Sequence, residues 1–195
     1  MQRIAHITPI LATYALWAAY FVSWNIAALW AAPAAQRPID SLAILDRILF
    51  LAGFGLLFNL FRLQDAALAN LIPPNGVAWA LVGVAALGFV LCWWARLHLG
   101  RLWSTMVTLK EGHKIVDTGP YALVRHPIYT GLLLALFATA ALRATPLAFS
   151  GAGIMLIALL LRVWREERFL SEQLGADAYA AYRARVPALV PFLPL

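Results

Sequence analysis

The chain has 195 residues, 63% of them hydrophobic and only 12% charged, with a formal net charge of +6. Ordinary globular domains carry about 25% charged residues, so the composition excludes an ordinary water-soluble domain, points to lipid as the solvent, and fits one compact bundle. A single cysteine, Cys92, excludes an internal disulfide; it lies in an apolar run with no metal-ligand pattern beside it and reads as packing.

A bilayer core of about 30 Å needs roughly 20 apolar residues in a helix. The first such stretch is Ile7 to Ala32, too long for a signal-peptide core, followed by a loop with Arg37, Pro38 and Asp40. The second is Leu42 to Phe61, with Asp46 and Arg47 near its start, where charges must pair or snorkel. Pro73-Pro74-Asn75-Gly76 reads as a turn before a third span, Val77 to Leu97. A polar stretch from His98 to Pro127 follows. Ile128 to Leu142 and Leu147 to Trp164 are then joined by Arg143-Ala144-Thr145-Pro146, too little chain for anything but a tight antiparallel hairpin. The tail is polar and helical in character to Pro187, then apolar and punctuated by proline.

The expected fold is therefore all-α: an integral membrane bundle of about five transmembrane helices. Three of them occupy residues 1–97, and a chemistry-bearing region occupies 98–195. Five of the fifteen Lys and Arg residues lie between Arg96 and Arg125, and five more from Arg162 onward. These segments flank the hairpin, so they share a side, and the positive-inside rule makes it cytoplasmic. Membrane orientation accounts for the basic charge better than a nucleic-acid partner does.

Three blocks carry the chemistry. In Gly119-Pro120-Tyr121-Ala122-Leu123-Val124-Arg125-His126-Pro127-Ile128-Tyr129-Thr130-Gly131, Pro127 suits the first turn of a helix. That places Arg125 and His126 at the mouth of the fourth span. In Arg162-Val163-Trp164-Arg165-Glu166-Glu167, the residues Arg162 and Glu166 are four apart and share a helical face. In the third block, Tyr179 and Tyr182 are three apart and line one side of a C-terminal helix.

The succession Gly-x-Tyr-x-x-x-Arg-His-Pro-x-Tyr-x-Gly, Arg-x-x-x-Glu-Glu-x-x-Leu and Tyr-x-x-Tyr-x-x-x-Val-Pro resembles the isoprenylcysteine carboxyl methyltransferase family and, more loosely, the phospholipid methyltransferases. The resemblance covers roughly His98 to Leu195. It implies S-adenosylmethionine as cofactor and a lipophilic or lipidated substrate drawn from the surrounding membrane lipids. The implied cofactor contacts are His113, Lys114, Ile115 and Val116 (the family's His-x-x-Val stretch), Tyr121, the His126, Pro127, Ile128 and Tyr129 run, and Glu166. Arg162 is implied as the catalytic, substrate-binding residue beside an acceptor carboxylate. No metal is implied. One departure bears on the substrate: an upstream glutamine of the prenylcysteine enzymes falls near Met106 here.

The residue types suit methyl transfer, which asks for alignment and desolvation more than for acid–base work. Two other readings compete. A membrane reductase of the sterol-reductase type would bind NADPH, and the intact His-Pro-x-Tyr and Glu-Glu blocks oppose it. A non-enzymatic membrane protein or small transporter would place more polar residues inside the spans than Asn25, Asn59 and a few others.

Overall fold

The computed structural model describes residues 2–29, 42–63, 68, 71–100, 103 and 115–193. Within them the protein is all-helical. Its elements are α1 (Gln2–Ala28), α2 (Leu42–Leu57), α3 (Asn75–Leu99), a 3₁₀ turn (Gly119–Ala122), α4 (Pro127–Arg143), α5 (Pro146–Leu174) and α6 (Ala176–Arg185). Among the described residues, three helices are long and apolar enough to cross a bilayer: Thr8–Ala28 in α1, all of α3, and Pro146–Gln173 in α5. The other two apolar helices are shorter, with 16 residues in α2 and 17 in α4. Large apolar side chains also face outward, including Val22, Ile48, Leu87, Val90, Phe137 and Ile157. Helices apolar on both their packed and outer faces are those of a lipid-solvated bundle.

Hydrophobicity cannot drive helices together in lipid, so close approach and hydrogen bonding must do it. Two glycine pairs provide the approach. Where α3 meets α4, a Cβ on Gly131 would overlap the Gly88 carbonyl and stand 2.7 Å from Cys92 Sγ. Where α2 meets α5, a Cβ on Gly53 would lie 2.7 Å from the Gly151 carbonyl and 2.6 Å from Met155. Cys92 is buried and its thiol donates to the Ile128 carbonyl at 3.3 Å, in keeping with a packing role. Around these crossings Trp17 is ringed by Tyr20, Phe21, Phe54, Phe58 and Phe89, and its indole N–H donates to Thr139 Oγ1 at 2.9 Å.

Several boundaries differ from the sequence reading. The α1 helix ends at Ala28; residues 30–41 lie outside the described set. The α2 helix stops at Leu57 rather than Phe61. Asn59 takes a left-handed conformation (φ 50°), and the Leu60 N–H returns to the Gly55 carbonyl at 2.8 Å, which closes a Schellman-type end. Gly55 has no side chain, so the Phe61 ring can fold back over it. Asn75 and Gly76 are not turn residues but the opening of α3, whose first bond runs from Ala78 N–H to the Pro74 carbonyl at 2.8 Å. The hairpin is as tight as expected: Ala144 caps α4 in the left-handed region (φ 50°), and Thr145 caps α5 by accepting from Ala148 N–H at 3.2 Å. The α5 helix does not end near Trp164. It runs to Leu174, 29 residues in all, until Gly175 breaks it with φ 97°. Its charged half therefore extends the apolar half as one rigid rod, which carries Arg162, Arg165, Glu166 and Glu167 to the mouth of α4.

The crossings generate a prediction. Replacing Gly131 with Ala forces a Cβ into backbone and lowers unfolding free energy by about 1–3 kcal/mol. The control is Gly153→Ala: no atom lies within 4 Å of a Cβ there, so stability changes by less than about 0.5 kcal/mol. Thermal unfolding of the two variants in detergent checks the contrast.

Candidate active site

The site assembles where the start of α4, the charged half of α5, and α6 with its tail converge. Pro127 opens α4 with His126 as its N-cap, as the sequence indicates. The C-terminal tail sews this corner in place. Arg125 N–H donates to the Pro187 carbonyl at 2.8 Å, His126 N–H to the Ala188 carbonyl at 3.0 Å, and Thr130 Oγ1 to the Leu189 carbonyl at 2.7 Å. The two backbone N–H groups lie ahead of the helical ladder and need acceptors when buried, and the proline-rich tail supplies them.

Under that strip lies Glu167. Its Oε1 accepts from Arg125 Nε at 2.7 Å and from His126 Nε2 at 3.1 Å, and its Oε2 pairs with Arg183 Nε of α6 at 3.3 Å. Arg125, His126 and Glu167 are all buried. The Arg125 guanidinium also donates to the Arg183 and Val186 carbonyls. One carboxylate thus joins α4, α5 and α6. The His126 ring thus lies between the two acids, Nε2 on Glu167 and Nδ1 facing Glu166 Oε2 at 3.8 Å.

Glu166 is the neighbouring acid on a different face of the rod. Its Oε2 accepts the Tyr129 hydroxyl at 2.8 Å, and its side chain is 30% exposed. Among the described residues, nothing hydrogen-bonds its other oxygen. The Tyr129 ring lies almost parallel to the His126 imidazole, centroids 5.5 Å apart and planes 11° apart. Arg162, one turn earlier on α5, is 28% exposed and bonds through Nε to Asp46 Oδ2 of α2 at 2.9 Å.

Tyr121 sits buried in the 3₁₀ turn, and its carbonyl accepts the Tyr182 hydroxyl at 2.8 Å. Burial, and then the nearby Glu166 charge, push the Tyr121 phenol well above its ordinary range. Burial does the same at Tyr182, which keeps it a neutral donor to this turn. Gly119 is required here: its φ is 58°, and a Cβ would lie 2.7 Å from the His98 ring that covers it. That ring also meets Thr118 Oγ1 at 2.9 Å.

The structure therefore brings together Tyr121, His126, Pro127, Tyr129, Arg162 and Glu166. Ile128 adds its carbonyl to the α3 contact. Ile115 packs on the Tyr179, Tyr182 and Val186 cluster, with Val116 half-buried beside it. His113 and Lys114 lie outside the described residues, as does Met106. Tyr179 and Tyr182 are buried, packed inward as part of the core of this region. The sequence reading missed Glu167 as the hub, Asp46 as the partner of Arg162, and the tail carbonyls. The Glu-Glu doublet held a clue, because adjacent helical residues point about 100° apart and cannot share one task. Asp46 held another, as an acid in an apolar helix.

Comparison with known proteins finds relatives of this chain and of its fold. Residues 81–172 match the family described as isoprenylcysteine carboxyl methyltransferase. Methanethiol S-methyltransferase 2 of Bradyrhizobium diazoefficiens is 37% identical over 126 residues, covering 60% of this chain and 47% of that protein. Protein-S-isoprenylcysteine O-methyltransferase B of Arabidopsis thaliana is 32% identical over 117 residues, 55% of each chain. The chain thus spans about half the length of these curated relatives. The solved structure of a eukaryotic intramembrane isoprenylcysteine carboxyl methyltransferase superposes with a TM-score of 0.54 at 21% identity, covering 80% of this chain and 55% of that one, and shares its fold.

The two glutamates should separate cleanly. Glu167→Gln removes the buried carboxylate charge that Arg125 and His126 share and costs about 3–5 kcal/mol of stability. Glu166→Gln, half-open, changes stability by less than about 0.5 kcal/mol. Denaturation of both variants in detergent measures the difference. Over residues 81–172, this integral membrane helical protein resembles the isoprenylcysteine carboxyl methyltransferase family.

Proposed function

We propose that the protein transfers a methyl group from S-adenosylmethionine to a lipophilic acceptor, with the cofactor meeting the corner between α4 and α5 on the cytoplasmic side. The observation that carries this reading is Glu166: a half-open carboxylate, held at one oxygen by Tyr129, whose ring stacks on His126, with its other oxygen unmatched among the described residues.

That donor set fits the cofactor. A carboxylate with a spare oxygen suits an ammonium or ribose hydroxyls, the Tyr129 and His126 faces suit an adenine, and the N–H groups at the start of α4 suit a carboxylate. When bound, S-adenosylmethionine supplies an electrophilic methyl on a charged sulfur and leaves as a neutral thioether, the C–S electron pair remaining on sulfur as the acceptor lone pair forms the new bond. The chain's own part is alignment and exclusion of water. Glu167 holds His126 and Arg125 so that the α4 mouth keeps its shape. Tyr129 fixes the Glu166 carboxylate in one rotamer.

For the acceptor, Arg162 supports a carboxylate of the isoprenylcysteine type. Its terminal guanidinium nitrogens have no acceptor among the described residues. The relative named for methanethiol keeps a small thiol in play as the second acceptor class.

Replacing Glu166 with Ala removes a charge-assisted contact of about 1.5–3 kcal/mol and weakens S-adenosylhomocysteine binding about 10- to 100-fold while the protein stays folded. Titration calorimetry reads this directly. Wild-type affinity in a folded Glu166→Ala sample would remove Glu166 from the cofactor site. Transfer of labelled methyl to N-acetyl-S-farnesylcysteine or to an alkanethiol, run side by side, decides the acceptor class.

A further inference from the structure

Asp46 lies outside every block that carries the family resemblance and outside the matched residues 81–172. It is buried, 2% exposed, in an α2 helix whose only other charge is Arg47. Its Oδ2 receives two guanidinium groups from α5, Arg162 Nε at 2.9 Å and Arg165 Nη1 at 3.1 Å. A carboxylate at such a position must be paired.

The two arginines are not equivalent. The Arg165 side chain is 9% exposed and that of Arg162 is 28% exposed, so the open positive edge belongs to Arg162. The bond to Asp46 uses Nε, at the stem side of the guanidinium. Held there, the planar group presents its two terminal nitrogens as a fixed fork, the geometry that receives a carboxylate through two parallel hydrogen bonds. Glu166 takes its hydrogen bond from Tyr129, so Asp46 contacts the acceptor's partner and not the cofactor's.

We propose that Asp46 is a positioning residue that tethers Arg162 by Nε and so aims the Arg162 fork at an acceptor carboxylate. The proposal rests on the reading that Arg162 meets the acceptor. It gives α2 a role in the chemistry: the Gly53–Gly151 crossing fixes α2 against α5, and that crossing sets where Asp46 stands.

The test uses the full chain, N-acetyl-S-farnesylcysteine as acceptor and S-adenosylhomocysteine as the cofactor probe. Asp46→Asn should raise the acceptor KM about 10-fold with kcat nearly unchanged, the signature of lost uniform binding, while S-adenosylhomocysteine affinity stays within about 2-fold. Asp46→Glu keeps the buried charge and therefore the fold, but displaces the fork by a methylene; it should show the same split at about 3-fold. Arg162→Gln should match Asp46→Asn, and combining the two should add less than about 2-fold, because one residue acts through the other. Unchanged KM in both Asp46 variants, or a parallel loss of S-adenosylhomocysteine affinity in both, overturns the proposal and leaves Asp46 a holder of the fold. Additive effects of Asp46→Asn and Arg162→Gln overturn it too. If Arg162→Gln alone leaves KM at the wild-type value, the reading of Arg162 fails first and the proposal falls with it.

Discussion

The buried Glu167 carboxylate is the interaction on which the rest of the candidate site depends. It stands on α5, grips Arg125 and His126 at the start of α4, and reaches Arg183 on α6. A buried ion pair contributes little net stability against an apolar replacement, but breaking one partner is costly. Its value here is geometric. Arg125 and His126 cannot turn without abandoning Glu167, so the α4 mouth, the tail acceptors at Pro187 and Ala188, and the stack of His126 on Tyr129 are fixed together. Glu166, the adjacent residue, is thereby left half-open, bonded by the Tyr129 hydroxyl with His126 beside it.

Membrane packing supplies the rest of the rigidity. Lipid offers no hydrophobic gain for helix contact, so the bundle relies on close glycine crossings and a few directed bonds such as Trp17 to Thr139. The Gly88–Gly131 crossing brings α3 against the base of α4, and the Gly53–Gly151 crossing brings α2 against α5. Both of the helices that form the site corner are therefore backed by a helix from the first half of the chain. The site is built on continuous rods, which hold side chains more reproducibly than loops do.

Much of this was legible in the sequence because its signals are local. Apolar run length gave helices over α1, α3, α4 and α5, Pro127 marked the start of α4, and four-residue chain between the last two long helices forced a hairpin. The three motif blocks named most of the residues that meet at the corner. What escaped depends on distant pairing or on subtle caps. The end of α2 turns on Asn59 adopting a left-handed conformation over a bare Gly55, which an apolar run through Phe61 conceals. The extension of α5 was hidden because a charged run reads as a boundary in hydropathy, although the helix continues through it. Glu167 looks identical to Glu166 in sequence; only the fold brings it onto its partner Arg125, 42 positions away along the chain. The pairing of Asp46 with Arg162 spans 116 positions and crosses from the unmotifed half to the motif half.

The central claim is that the corner of α4 and α5 holds an S-adenosyl cofactor, and its most direct measurement is ligand-induced stabilisation of the detergent-purified protein. A ligand that binds only the native state must raise its apparent stability. The account predicts a saturable rise in melting temperature with S-adenosylhomocysteine and none with NADPH. No shift with S-adenosylhomocysteine in a sample shown to be folded, or a shift with NADPH in its place, would contradict it.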